Sequence, residues 1–379
     1  MSNSHELYHR LVQAVYPLVS VSHINQLANW MWIVVGILQG NSIALSQIAT
    51  FIPGQAQAVS RVTTVRRWLK NFRVDVWTLY RPVLEHVLKD WRASEVSVVL
   101  DGVMVFGDRL QIFRLSLVHG CRAIPLVWKV IPGQGLTQVQ VLETMLTQAA
   151  EFLRPRVKRV RFLADRGFRD CDWADLCVKL GWQYGIRIQC NTTVTLENGW
   201  QGRVDALGVK PGERRYFQKV RLTLAQRWEA HLSVTWTEGD DQHPPELLAV
   251  MSDEPAGRAR LREYGVRMDI EQSFRDDKSG GFDMAHTRLQ HPDRLERLLL
   301  AVAIATLWCH ELGEFVLDQG ETCRKEIDPG PERELSIFQL GLRWLKRCVA
   351  TAMHRLPVFR ASLKPIRLEP VTNSVSLNL

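Results

Sequence analysis

The spacing of apolar residues changes at Glu95, and this change constrains the fold more than any other feature of the chain. Before Glu95 the apolar residues recur at helical spacing, whereas after it short apolar runs alternate with longer helical segments. Three strands followed by alternating helices and strands predict a mixed α/β unit. The predicted strands are 96–100, 111–118, 124–131, 160–164 and 184–189, and the predicted helices are 138–152 and 173–180.

Two of these predicted strands end in an aspartate. Asp101 follows strand 96–100, Asp165 follows strand 160–164, and each aspartate leads into a turn that contains glycine. A carboxylate at the end of a strand inside a sheet costs free energy unless a charged group meets it there. A single Asp-Gly pair is more simply the start of a turn, but two such acids together with a third one favour a common site.

The third acid, Glu271, lies on a predicted helix with an uneven distribution of charge. On a helix each residue is rotated by about 100° from the one before it. At this rotation one phenol, one acid and two cations fall within a stripe roughly 60° wide on the helix surface. An adjacent apolar stripe, formed by Val266, Ile270 and Phe274, predicts contact with a core. The alternative to a functional site is a surface helix, on which Arg267 and Glu271, four positions apart, simply form an ion pair. The members of the charged stripe are Tyr264, Arg267, Glu271 and Lys278.

Asp101, Asp165 and Glu271 can together form a three-carboxylate metal site. Mg²⁺ and Mn²⁺ both prefer oxygen ligands, so we expect Mg²⁺ here, with Mn²⁺ as an alternative. We therefore predict that these three acids bind metal.

At this point the chain resembles a known family, the DDE transposases of the IS-four type of insertion sequence. The third acid of that family lies in a Y-x2-R-x3-E-x6-K signature, and the charged stripe of the predicted helix matches all four of its positions. The segment Asp165-Arg166-Gly167-Phe168 is similar to the D-x-G-F/Y motif around the second acid. The resemblance covers roughly residues 93–320.

The resemblance implies an α/β fold with a ribonuclease-H-like catalytic core, in which the first acid lies on the first strand and the second on the fourth. It also implies a β-rich insertion between the second and third acids. We predict five segments on this basis. They are a helical DNA-binding domain at 1–92, the first part of the core at 93–189, the insertion at 190–252, the second part of the core at 253–320, and a helical, basic segment at 321–379.

The resemblance further implies a cut-and-paste transposase that acts as a homodimer on double-stranded DNA, namely the terminal inverted repeats and the target. Asp101, Asp165 and Glu271 would be its catalytic acids. Two divalent ions about 4 Å apart, held by these acids, would activate the nucleophile and stabilise the charge on the phosphoryl and leaving oxygens. Water would attack first to nick the transposon end, and the freed 3′-OH would attack next. Arg267 and Lys278 would each contact a phosphate or neutralise the acids before metal binds. Tyr264 would contact a phosphate. Arg166 and Arg187 are weaker candidates for the path of the DNA.

The segment before Glu95 reads as helices, one of them at about 59–72 with Val62, Val65, Leu69 and Phe72 on its buried face. Its other faces carry cations, and a short helix and a turn precede it, which is the order of a helix-turn-helix. Between residues 54 and 92 there are eight cations against three acids, and a second basic cluster spans 154–161. The alternative for either cluster is a solvated face. The predicted DNA contacts of the helix are Arg61, Arg67 and Lys70.

The net charge of the chain favours a polyanionic partner, and its cysteine usage fits a reducing compartment. The 379 residues carry a net charge of +8 with a pI near 9.2. Seven cysteines without a CxxC pair indicate neither a disulfide framework nor a zinc site. The longest apolar runs, 30–38 and 298–309, are too short to span a bilayer, and we see no signal peptide. We expect a bacterial cytoplasmic protein that is nucleoid-associated when bound to DNA and has no membrane partner.

Two questions stay open at the level of sequence. In well-studied relatives a tryptophan of the insertion stacks on a flipped base. Trp236 is a candidate here. However, it lies on the same side of its predicted strand as Leu232 and Val234, which favours core packing. The function could also be that of a ribonuclease-H-like nuclease without strand transfer, or of a catalytically inactive DNA-binding protein derived from a transposase.

Overall fold

The computed structural model describes residues 3–91, 94–119, 122–133, 139–168, 170–223, 228–238, 244–275, 282 and 288–363, with the backbone alone at 119, 122 and 268–275. Residues 3–91 form five helices. These are α1 (Asn3–Val15), α2 (Ile24–Gly40), α3 (Leu45–Thr50), α4 (Ala58–Lys70) and α5 (Val76–Val87).

The buried face of α4 differs from the predicted one. Val65 and Leu69 are buried as expected, but Val62 is only half-buried and Phe72 is 82% exposed beyond the end of the helix. Trp68 takes part in the buried face instead, and its indole N–H donates to the carbonyl of Gln26 at 2.9 Å. The helix ends at Lys70, so Phe72 no longer follows the helical period.

The predicted α/β pattern is present from Glu95 onward. The elements are β1 (Glu95–Val105), β2 (Leu110–His119), β3 (Arg122–Pro132), α6 (Val139–Leu153), β4 (Arg159–Ala164), α7 (Cys171–Leu180) and β5 (Gln183–Ile188). One strand is longer than predicted. β1 continues past Asp101 because its antiparallel pairing with β2 extends to Val105 and Leu110.

β1 and β4 are parallel neighbours, and their pairing decides the position of the two aspartates. The last paired residues are Leu100 of β1 and Ala164 of β4. Asp101 and Asp165 each come one residue later, so both lie at the carboxyl end of the β1–β4 pair. β4 also pairs in parallel with β5, whereas β2 and β3 are antiparallel to their neighbours.

The β-rich region extends the same sheet. Its strands are β6 (Thr193–Thr195), β7 (Gln201–Arg203), β8 (Arg214–Leu222), β9 (Trp228–Trp236) and β10 (Leu247–Ser252). β10 pairs with β5 in antiparallel fashion, which gives the order β3-β2-β1-β4-β5-β10-β9-β8-β6-β7. The residues between the second and third acids therefore continue the sheet beyond β5.

Four helices follow the sheet in the described part of the chain: α8 (Arg258–Arg275), α9 (Pro292–Asp318), α10 (Glu321–Lys325) and α11 (Ile337–Thr351). α9 is long and apolar enough to cross a bilayer by length and composition, but 89% of its most apolar window is buried inside the protein. It packs against α2, α4, α11 and β3. We therefore describe α9 as the central core helix that joins the N-terminal helices to the sheet.

Candidate active site

The carboxylates of Asp101 and Asp165 lie side by side at the ends of β1 and β4. Both are partly accessible, with 20% and 35% of the side chain exposed. In each case the Oδ1 atom accepts a hydrogen bond from the backbone N–H of the next residue, Gly102 at 2.8 Å and Arg166 respectively. These bonds orient both carboxylates at the same edge of the sheet.

Arg267 of α8 brings a cation to this pair of acids. Its Nη2 atom lies 3.5 Å from Asp165 Oδ2 and 3.8 Å from Asp101 Oδ1, and only 4% of its side chain is exposed. A buried guanidinium needs anionic neighbours to offset its desolvation. Of the two predicted roles for Arg267, neutralising the acids is the one that this geometry favours.

Sequence reasoning missed a second buried cation, Arg114. It is the cross-strand partner of Asp101 in the β1–β2 ladder, and it is 5% exposed. Directly opposite residues in an antiparallel pair project from the same face of the sheet. The signal was available, because Arg114 is the only charged residue in the predicted apolar strand 111–118, and a buried charge of this kind needs a partner.

Glu271 and Lys278, the remaining polar members of the charged stripe, are described in part or not at all. Glu271 lies in α8, one helical turn beyond Arg267, but its side chain is outside the described residues, and so is all of Lys278. Among the side chains that are described, no group of three His, Cys, Asp or Glu residues is close enough to hold a metal ion. The oxygen donors of Asp101 and Asp165 are nevertheless of the type that Mg²⁺ and Mn²⁺ prefer.

Comparison with known proteins adds one finding to this geometry. Residues 137–308 match the family model of the transposase DDE domain. The match supports a DDE transposase. It includes Asp165 and Glu271 and begins after Asp101. No protein of curated function matches this chain in sequence.

Two solved structures resemble the chain weakly. A piggyBac transposase synaptic complex with hairpin DNA has 10% identity and a TM-score of 0.42, with 94% of this chain and 80% of that chain covered. A Marinitoga piezophila Argonaute with guide RNA and target DNA has 11% identity and a TM-score of 0.22, with 64% and 34% covered. Because both TM-scores lie below 0.5, neither likeness bears on fold or function.

Ion pairs around the buried Arg161 connect the beginning of α8 to the sheet. Arg161 of β4, with 7% of its side chain exposed, lies 2.5 Å from Glu95, 2.9 Å from Glu254 and 3.0 Å from Glu263. Arg260 also contacts Glu254 and Glu263. Burial raises the pKa of Glu263. Since Glu263 precedes Arg267 by one helical turn, these ion pairs help to fix where Arg267 meets the acids.

The prediction that Tyr264 contacts a phosphate is at odds with the structure. Its side chain is 0% exposed and packs with Leu248 and Val250 of β10 and with Leu261 of its own helix. Among the described side chains of α8, at 258–267, Leu261, Tyr264 and Arg267 are buried, whereas Val266 of the predicted apolar stripe is only half-buried. Tyr264 therefore anchors α8 to the sheet.

Arg166 and Arg187, the weaker candidates for DNA contact, share an acidic partner within the protein. Arg187 of β5 lies 2.7 Å from Glu246 and has 11% of its side chain exposed, and Arg166 lies 3.5 Å from the same carboxylate. Glu246 offsets part of their charge, so Arg187 in particular serves the protein's own packing in this structure.

Trp236 is partly buried against the core, and its indole N–H donates to the carbonyl of Val209 at 2.8 Å. This contact agrees with core packing, the alternative that the position of Trp236 in its strand favoured, and it opposes a role in base stacking.

The predicted DNA contacts of α4 differ in how far solvent reaches them. Arg67 and Lys70 are exposed and make no ion pair with any described residue, while Arg61 is half-buried and donates to the carbonyl of Gly54 at 3.5 Å.

Proposed function

We propose that this chain is a DNA transposase that cleaves transposon ends by metal-dependent hydrolysis and joins the 3′-OH ends to target DNA by direct transesterification. The observation that carries the proposal is the pair Asp101 and Asp165 at the ends of neighbouring parallel strands, with the buried Arg267 beside both. The match to the transposase DDE domain supports it independently. We also infer that β1–β5 form a ribonuclease-H-like core, which the order β3-β2-β1-β4-β5 supports.

Asp101 and Asp165, together with Glu271 of α8, would hold Mg²⁺, with Mn²⁺ as an alternative. All three supply carboxylate oxygens, and solvent reaches the first two. A bound pair of ions would activate the nucleophile and stabilise charge on the leaving oxygen. While no ion is bound, Arg267 would neutralise the acids and keep them close together.

The chain's own groups orient the acids for this chemistry. The N–H groups of Gly102 and Arg166 restrict rotation of the two carboxylates, which reduces reorganisation during the reaction. In the first step the oxygen of water forms a bond to phosphorus and the 3′ oxygen leaves as a hydroxyl. In the second step that 3′-OH attacks a phosphodiester of the target, so that one ester replaces another. Neither step needs a covalent bond between protein and DNA.

We infer that the exposed face of α4 binds the terminal inverted repeats. Arg66, Arg67 and Lys70 are exposed there, and Val65 and Leu69 hold the opposite face to the core. The helix is thus fixed by one face and free to enter a major groove with the other. Two copies of the chain would hold the two ends as a homodimer. Binding through several phosphates should weaken steeply as the salt concentration rises.

The test is cleavage of DNA that carries the element's own ends, with Mg²⁺ or Mn²⁺, by the wild type and by Asp165→Asn and Glu271→Gln. These substitutions keep size and remove charge. We expect both variants to bind the ends and to cut at least about 100-fold more slowly. Asp172→Asn, an exposed acid of α7, is the matched control and should cut like the wild type.

Equal cutting by the wild type and Glu271→Gln would remove Glu271 from the metal site. A wild type that binds the ends without cutting them would overturn the proposal in favour of a DNA-binding protein. Pre-nicked ends test the second step separately, because a transposase transfers them into a target plasmid, whereas a nuclease without strand transfer leaves them unjoined.

A further inference from the structure

A cavity of about 350 Å³ lies at the end of the sheet opposite to the candidate active site. It is formed where α6 and α7 end and β4 begins, and Val160 and Trp182 line its buried part. β4 runs from this cavity to Asp165. Five residues at about 3.3 Å each place the cavity roughly 17 Å from the two aspartates.

Three cations surround this cavity, and none of the described residues that line it is acidic. Arg154 and Lys158 come from the segment between α6 and β4, and Lys179 comes from the last turn of α7. All three are exposed and make no ion pair with any described residue.

The neighbouring members of the same basic cluster are engaged elsewhere. Arg156 lies over the ring of Phe152 at 4.2 Å and 3.7 Å from Glu85. Arg159 lies 3.4 Å from Glu95, and Arg161 belongs to the buried ion pairs beneath α8. The structure thus divides the basic segment 154–161 into three cations that have partners in the protein and two that face the cavity.

Cations at helix ends can be explained without a ligand, because the carboxyl end of a helix carries a partial negative charge. That charge amounts to about half an electron for each helix. The ends of α6 and α7 therefore supply about one negative charge against the three cations that line the cavity. Lys179 also lines a neighbouring pocket with Glu143, Asp172 and Asp175, so the positive excess lies mainly at Arg154 and Lys158. A phosphate would balance this excess.

We propose that this cavity binds the phosphodiester backbone of a DNA strand, as a second contact remote from the candidate active site. Arg154, Lys158 and Lys179 would meet the phosphates, and the exposed Val178, at 57%, would contact the sugars. The proposal rests on the proposed function only in taking DNA as the ligand.

The test is DNA binding by the full chain without divalent metal, measured by fluorescence anisotropy over a range of salt concentrations. One variant combines Arg154→Gln, Lys158→Gln and Lys179→Gln. The control combines Lys210→Gln, Lys219→Gln and Arg221→Gln, which removes the same charge from exposed positions on and before β8. We expect the cavity variant to bind about tenfold more weakly, with a salt slope reduced by about 2 to 3, and the control to change little.

A second measurement does not depend on those variants. Val178→Cys labelled with an environment-sensitive dye should change its emission when DNA is added, and the same dye at Tyr216→Cys, an exposed position of β8, should not. Equal weakening of both triple variants, or an unchanged signal at position 178, would overturn the proposal. Stabilisation of the wild type by inorganic phosphate, lost in the cavity variant while DNA binding is kept, would overturn it in favour of a small phosphorylated ligand. A wild type that binds DNA here but does not cut would refute only the transposase activity.

Discussion

The Nη2 atom of Arg267 lies 3.5 Å from the Oδ2 atom of Asp165, so a buried cation of α8 meets an acid at the end of β4. We expect Arg267→Met to lower the free energy of unfolding by about 1–3 kcal/mol without divalent metal, because two neighbouring carboxylates lose a shared cation. Mg²⁺ or Mn²⁺ should then raise the melting temperature more in the variant than in the wild type. Thermal unfolding with and without metal measures both effects.

Arg267→Lys is the control for this prediction. It keeps the charge and should restore most of the stability, with a metal response close to that of the wild type. If the variants and the wild type respond to metal alike, Arg267 does not neutralise the acids.

The burial of the Tyr264 ring predicts that it contributes to stability by packing and does not contact DNA. Tyr264→Phe, which keeps the ring, should bind DNA within about twofold of the wild type and change the free energy of unfolding by less than about 1 kcal/mol. Anisotropy with end DNA and chemical unfolding measure the two quantities. A large loss of affinity at unchanged stability would instead support the phosphate contact that the sequence motif implied.

The strands and their acids could be predicted from sequence because the information is local. An apolar run that stops at Asp101 or Asp165 shows up in a few adjacent residues. The pairing of Leu100 with Ala164 could not be predicted in this way, since it depends on residues more than 60 positions apart. The same holds for Arg114, whose partner is on another strand.

The charged stripe of α8 shows the same limit. Helical spacing correctly brought Tyr264 and Arg267 to one side of a helix, but spacing does not say which side faces the sheet. The packing of β10 decides this, because Leu248 and Val250 receive Tyr264. The apolar stripe that begins at Val266 was the more obvious anchor from sequence, and Val266 is only half-buried.

Close packing of α9 against α11 requires glycine at position 341. A Cβ atom there would overlap the carbonyl oxygen of Cys309, which belongs to the helix backbone and cannot move aside cheaply. We expect Gly341→Ala to lower the free energy of unfolding by about 2–4 kcal/mol through overpacking. Gly257→Ala is the matched control, since a Cβ atom at that position meets nothing within 4 Å. Chemical unfolding of the two variants under one set of conditions tests this, and equal stability would contradict it.

The ion pairs beneath α8 predict a large effect at Arg161. In Arg161→Met three carboxylates lose a buried partner, which should cost about 3–5 kcal/mol. Arg203→Met, which breaks an exposed pair with Asp205, should cost less than about 1 kcal/mol. Urea unfolding compares them directly. A loss at Arg161 no greater than that at Arg203 would show that the buried pairs contribute nothing net to stability.

The buried carboxyl of Glu311 in α9 leads us to expect that the free energy of unfolding falls as the pH rises through neutrality. Burial raises the pKa of its carboxyl from 4.5 to about 7, although the backbone N–H groups of Arg360 and Ser362 donate to it. A group with a raised pKa in the folded state stabilises the protein below its unfolded pKa and loses that contribution as the pH passes the folded value. Between about pH 5 and pH 8 the wild type should therefore lose on the order of 2–3 kcal/mol. Glu311→Gln should flatten this part of the profile, and an unchanged slope would contradict the assignment to Glu311.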